Sequence, residues 1–136
     1  MTILENELFV VNKENLEVEI FDSIKLSFSR RWNLKELIYP QDIVSCSISK
    51  RIYVLNSCRD QIMEIFKVDS NRNLLKKWST GCNSGRSLSV TVESNVIFAA
   101  RNTNKLIEYS PDGQLIREID LSLNAMACSM FFYGML

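Results

Sequence analysis

A short apolar run recurs along this chain at nearly constant spacing. Ile52, Tyr53, Val54 and Leu55 in "RIYVLNS" are answered forty-five positions later by Ile97, Phe98, Ala99 and Ala100 in "NVIFAARN". They are answered forty-four positions earlier by Leu8, Phe9, Val10 and Val11 in "ELFVVNK". Self-similarity at a fixed period of this size means that one supersecondary unit is copied, and it constrains the fold more tightly than any single motif here. The run after each copy repeats too, as "VEIF" (18–21), "MEIF" (63–66) and "LIEY" (106–109), with an acidic residue set among apolar ones. A further run carries a basic pair before an aromatic residue, "RRW" (30–32) and "KKW" (76–78), with "REI" (117–119) in the third copy. Ahead of two copies lies another alternating run, "DIVSCSI" (42–48) and "SLSVTVE" (87–93).

Each run is short, rich in β-branched or alternating residues, and bounded by Asn, Asp, Ser or Gly, which reads as strand and turn. No stretch keeps the i, i+3, i+4, i+7 apolar spacing of an amphipathic helix. The chain is therefore expected to be all-β, built from antiparallel four-stranded units of about 40 to 45 residues, the size of one blade of a β-propeller. A single blade cannot bury both of its faces, so it must stack on its neighbours.

Labelling the strands of a unit a to d, the reading gives an incomplete propeller of about 12 strands across 1–136. One blade spans 1–34 and lacks most of its first strand, a second spans 40–80, a third 86–122, and a next blade starts at 123–136. In that last piece "NAMACSM" (124–130) aligns with "DIVSCSI", placing Cys128 on Cys46. Closed propellers use roughly 4 to 8 blades. The expectation is thus a piece of a longer propeller; the alternative is a ring of self-associated copies in which the tail strand completes a first blade.

Composition removes several chemistries. The chain has no histidine, hence no imidazole base and no Ser-His or Cys-His nucleophile pair. Cys46, Cys58, Cys82 and Cys128 form no C-x-x-C pair, so neither zinc nor thioredoxin-like redox chemistry is signalled. Sixteen basic residues balance sixteen acidic ones, leaving no global field for nucleic acid or an anionic membrane. The longest apolar run, "AMACSMFFYGML", is shorter than the ~20 residues that cross a bilayer. No basic n-region opens the chain, and a cytoplasmic protein with free thiols is expected.

The stretches "RIYVLNSCRDQIMEI" and "NVIFAARNTNKLIEYSPDGQLIREI" resemble NHL repeats, in which an apolar strand ends in Asp or Asn, an Asn- and Arg-rich turn follows, and a second strand leads into Pro-Asp-Gly. Asn102, Asn104, Ile107, Tyr109, Pro111, Asp112 and Gly113 fall at the expected places. The resemblance implies a six-bladed propeller. It also implies the range of uses of that family, which runs from protein or RNA binding in tripartite-motif ubiquitin ligases to receptor ectodomains and, in distant relatives, hydrolases and lyases.

In a meander the a–b and c–d turns share one end and the b–c turns share the other with the d–a crossings. The second end is the longer-looped and more polar, and loops on a rigid scaffold carry binding residues. Arg59, Asp60, Arg86, Arg101, Asn102 and Asn104 are the candidate binding residues, the arginines as guanidinium partners for carboxylate or phosphate. Against this stands the plainer role of Arg59 and Asp60 in pairing or capping their own turn. Asp42, Ser87 and Asn124 share a register on the channel-lining strand and supply oxygens that could approach Ca²⁺, though one carboxylate makes a poor cage. Trp32 and Trp78, with their basic neighbours, suggest a nucleic-acid surface or, more plainly, the filling between blades. The expected function is a non-enzymatic module binding a protein partner, without cofactor or metal. RNA binding and, behind it, a metal-dependent hydrolase or lyase are the alternatives.

Overall fold

A computed structural model of the chain describes residues 1–101 and 103–121. They form twelve strands: β1 (Thr2–Leu4), β2 (Glu7–Asn12), β3 (Glu17–Asp22), β4 (Phe28–Trp32), β5 (Tyr39–Cys46), β6 (Arg51–Ser57), β7 (Met63–Val68), β8 (Leu74–Ser79), β9 (Gly85–Val90), β10 (Val96–Ala100), β11 (Lys105–Tyr109) and β12 (Leu115–Asp120). No helix occurs among the described residues. The strands make three antiparallel meanders in the orders β1-β2-β3-β4, β5-β6-β7-β8 and β9-β10-β11-β12. β1 is only three residues long, yet it pairs with β2 through Thr2, Ile3 and Leu4. The first sheet therefore has four strands, the first of them a three-residue remnant. The tail alignment at 124–130 lies outside the described residues.

The sheets stack face to face. Phe9, Val18, Ile20 and Trp32 of the first sheet share a buried cluster with Ile43, Ile52, Val54, Phe66 and Val68 of the second. Tyr53, Leu55, Met63 and Ile65, on the other face of the second sheet, cluster with Leu88, Val96, Phe98, Ala100, Ile107 and Tyr109 of the third. Side chains alternate across a strand, so β6 feeds one core with its even-numbered residues and another with its odd ones.

This alternation corrects the repeat spacing. Equivalent residues must face the same way round the stack, but Tyr53 and Phe98 face each other across one interface. Phe98 matches Val54, forty-four positions earlier, because both face the preceding sheet. A bulge at Gln41 sets Pro40 opposite Asn56, and a matching one at Arg86 sets Gly85 opposite Ala100, so β6 and β10 repeat at forty-four while β5 and β9 repeat at forty-five. A one-residue slip flips every side chain to the opposite face. Runs apolar on both faces, such as "IYVL" and "VIFAA", carry no phase by which to detect it.

Turn chemistry also repeats. Each a–b turn has one residue with positive φ (Glu5, Lys50, Ser94), as does each b–c turn (Leu16, Gln61, Asn104) and each c–d turn (Leu26, Arg72, Gly113). Only the last of these nine is glycine, and its reason is tertiary. A Cβ on Gly113 would come within 2.6 Å of the Trp78 ring on the neighbouring sheet. Side-chain caps hold the c–d turns: Asp22 accepts from the Ile24 and Lys25 amides, Asp69 from Asn71 and Asn73, and Ser110 from Asp112 and Gln114.

Trp32 is buried and Trp78 half-buried, each packed toward the following sheet. Trp78 lies against Tyr53 and Tyr109 at centroid distances of 6.4 and 5.7 Å. The tryptophans are thus filling between sheets, and their basic neighbours pair locally, Arg31 with Glu17 and Lys77 with Glu64. The outer strands β4, β8 and β12 are largely exposed.

Candidate binding face

The innermost strands β1, β5 and β9 lie side by side and are laced by side chains. Ser45 donates its amide to Thr2 Oγ1 (3.0 Å) and its hydroxyl to the Ile3 carbonyl (2.8 Å). Asp42 on β5 accepts the Leu88 amide of β9 at 2.8 Å. Burial holds the Asp42 carboxyl above its usual range, against the pull of that hydrogen bond. Asp42 therefore acts as an inter-sheet tie. Ser87 on β9 shares its register, opposite Ala99 as Asp42 is opposite Leu55, while Asn124 lies outside the described residues. Among the described residues no three His, Cys, Asp or Glu side chains gather as metal ligands would.

The loop-rich end is formed by turns 13–16 and 58–62, by residues 101, 103 and 104, and by crossings 33–38 and 80–84. Two anchors hold it. Asn56, fully buried at the end of β6, accepts the Ile38 and Tyr39 amides on one oxygen, each at 3.0 Å, and so ties the first crossing to the central strand. The second crossing returns to β7: Met63 donates its amide to the Cys82 carbonyl (2.8 Å), and its own carbonyl accepts the Thr80 amide (2.9 Å). Asn12, one repeat before Asn56, caps its own turn instead through the Glu14 and Asn15 amides. The sequence signal for Asn56 was the polar residue closing an apolar strand; its grip on the crossing came only with the fold.

The candidate residues divide into three groups. Arg59 and Arg101 are exposed in successive b–c turns. Asp60 is exposed and accepts the Ile62 amide at 3.2 Å, the capping role weighed above. Asn104 is exposed with φ of 50°, and its carbonyl accepts the Leu121 amide. Arg86 is a strand residue, half-buried at the β9 bulge, where the sequence suggested a loop. Asn102 lies outside the described residues. Cys58, beside Arg59, has its thiol pushed up to about 11 by burial, then by a hydrogen bond and the charge from Glu64 and by Asp60. It is a poor nucleophile.

The eight arginines separate by position. Arg30 and Arg72 pair with Glu7, Arg31 with Glu17, and Arg117 with Glu108, while Arg51 donates to the Ser49 and Lys50 carbonyls. Arg59, Arg86 and Arg101 form no ion pair among the described residues. All three lie toward the loop-rich end.

Neither a protein-family model nor a curated protein sequence matches the chain. Solved structures do. The WD40 β-propeller domain of Doa1 superposes with a TM-score of 0.68 at 10% identity, over 87% of this chain and 38% of that one. The Dos1 propeller does so with 0.62 at 9% identity, over 82% and 29%. A chain of the nidogen/laminin complex gives 0.66 at 15% identity, over 83% and 43%. This chain spans less than half the length of each. At such identities the likeness is one of fold: the three sheets are stacked as β-propeller blades.

Proposed function

We propose that the chain is a non-enzymatic binding module, about three blades of an NHL-like six-bladed propeller, whose loop-rich face engages a protein partner. The observation that carries this reading is the division of the arginines, with the uncommitted guanidinium groups confined to one end. An exposed guanidinium without a partner offers a planar, bidentate donor to a carboxylate. The anchors at Asn56 and Met63 hold the surrounding loops, so little ordering is needed on binding. The NHL-like spacing of Asn104, Ile107, Tyr109, Pro111, Asp112 and Gly113 supports the family assignment.

A photo-crosslinking residue placed at Arg59 or Arg101, in extracts of the source cells, tests the reading. Protein adducts should form at these two positions and not at Lys76 on the outer strand β8. Nuclease-sensitive adducts in their place would establish the RNA-binding alternative, and their yield would fall steeply with salt.

A further inference from the structure

The two outermost faces of the stack differ. On the first sheet the side turned away from the second carries Ile3, Leu8, Val10, Phe21 and Phe28, since Leu4, Phe9, Val18 and Ile20 point inward and neighbours alternate. Ile3 is 55% exposed and Phe28 exposed, and Leu8, Val10 and Phe21 are half-buried. On the third sheet the outward side carries Ile97, Ala99, Leu106 and Ile119, with Glu108 and Arg117 beside them. Ile97, Ala99 and Leu106 are only 8%, 8% and 7% exposed, and Glu108 is buried with them. No described strand lies against that side, because β10 and β11 turn their other face to the second sheet. Something else excludes water there.

The end of the described chain points to it. Leu121 packs on Ile97, Ala99 and Leu106, and its amide donates to the Asn104 carbonyl at 2.7 Å. The chain therefore leaves β12 already on this face, and fifteen residues follow, SLNAMACSMFFYGML (122–136). Fully extended, they could reach about 50 Å, whereas the four strands of a sheet span about 15 Å. The segment contains no Asp, Glu, Lys or Arg. The face calls for none, since Glu108 and Arg117 pair with each other at 2.6 Å.

We infer that residues 122–136 cover the outward face of the third sheet of their own chain, over Ile97, Ala99 and Leu106. Removing apolar surface from water on both sides of the contact drives it. The inference is independent of the loop-face reading. With the third sheet closed by its own chain, the first sheet carries the open end of the stack, at Ile3, Phe21 and Phe28.

The test uses the full chain in two measurements. In hydroxyl-radical footprinting Ile97 should oxidise about sevenfold more slowly than Ile3, in proportion to their exposures of 8% and 55%. A double variant, Phe131→Asp with Phe132→Asp, puts charge into the segment without altering a described strand. It should raise oxidation at Ile97 and Leu106 severalfold and leave Ile3 and Leu8 unchanged. In the second measurement a photo-reactive benzoylphenylalanine replaces Phe131 or, separately, Phe132, two neighbouring positions that sample both sides of the segment. Irradiation should give adducts within one chain, on residues 96–106 or Ile119. Equal oxidation of Ile97 and Ile3, an aspartate variant that changes nothing, adducts on the first sheet, or no adducts would overturn the inference. Adducts between chains, growing with protein concentration, would overturn it as well and give the face to a second copy.

Discussion

Replacing Asn56 by alanine isolates the anchor of the loop-rich face. The side chain is fully buried and its oxygen takes two backbone amides, Ile38 and Tyr39, each at 3.0 Å. Two hydrogen bonds at about 0.5–1.5 kcal/mol net give a loss of about 1–3 kcal/mol. Two corrections apply. Ile38 is half-buried and Tyr39 exposed, so water can reach the freed amides and the loss falls in the lower part of that range. The Asn56 nitrogen is buried without a partner, so its removal returns part of the desolvation cost. The expected net cost is about 1.5 kcal/mol, which for a chain of this length is about 5–7 °C in Tm. Asn12→Ala is the control, since its two oxygen contacts lie in an exposed turn; with the loss of its amide's hydrogen bond to Glu19 as well, it should cost about 1 kcal/mol. Urea titration with an unchanged m-value measures both. Hydrogen exchange should quicken at Ile38 and Tyr39 in the Asn56 variant alone. A cost for Asn56→Ala no larger than that of Asn12→Ala would refute the anchoring role.

Three further outcomes are expected. Gly113→Ala meets the Trp78 ring at 2.6 Å and should cost about 3 kcal/mol, whereas Gly81→Ala, also at positive φ but with nothing within 4 Å, should cost about 1 kcal/mol; equal costs would mean that the Trp78 contact is not what selects glycine. Asp42 binds its proton more tightly folded than unfolded, so its contribution to stability is full below its ordinary value of 3.8 and is lost as pH rises through the raised one. Asp42→Asn, which keeps an oxygen for the Leu88 amide, should flatten that part of the stability curve and leave the protein no less stable at pH 7; a clear loss at pH 7 would show that the charged form is the favoured one. With its thiol pushed up to about 11, Cys58 should alkylate about a hundredfold more slowly at pH 8 than a simple thiol, and Glu64→Gln should quicken it; alkylation at the simple-thiol rate would contradict the burial and charge assigned to it.

Strand existence and meander order were legible because turn residues break the apolar runs at regular intervals. The facing of those strands was not. "IYVL" and "VIFAA" are buried on both sides, so alternation, the signal that sets phase in a half-exposed strand, is missing, and the matching bulges at Gln41 and Arg86 that restore the register are tertiary features. The acidic residue of the third repeated run behaves unlike its counterparts: Glu19 and Glu64 are half-buried, but Glu108 is buried and held by Arg117 and Asn95. Arg117 lies on β12 and Asn95 in the turn before β10. Arg59 and Arg101 were legible as exposed turn residues, since b–c turns are set by strand parity. That their guanidinium groups stay uncommitted was not, because it depends on which carboxylates the fold places near the other arginines.

The two-faced β6 has a consequence for how the chain must come together. Tyr53 and Val54 are joined by one peptide bond yet belong to different interiors, while Phe9 and Val54 share one although a whole repeat separates them. The middle sheet is a party wall: neither room exists until the sheet on its far side has been made. Consolidation is then paced by the arrival of each new sheet along the chain, and every closure spans about forty residues. During synthesis a pause between two sheets leaves a wall wet on one side, with Tyr53, Leu55 and Ile65 open to water until β10 is available. Slow codons or a chaperone acting at that boundary would therefore bear on yield.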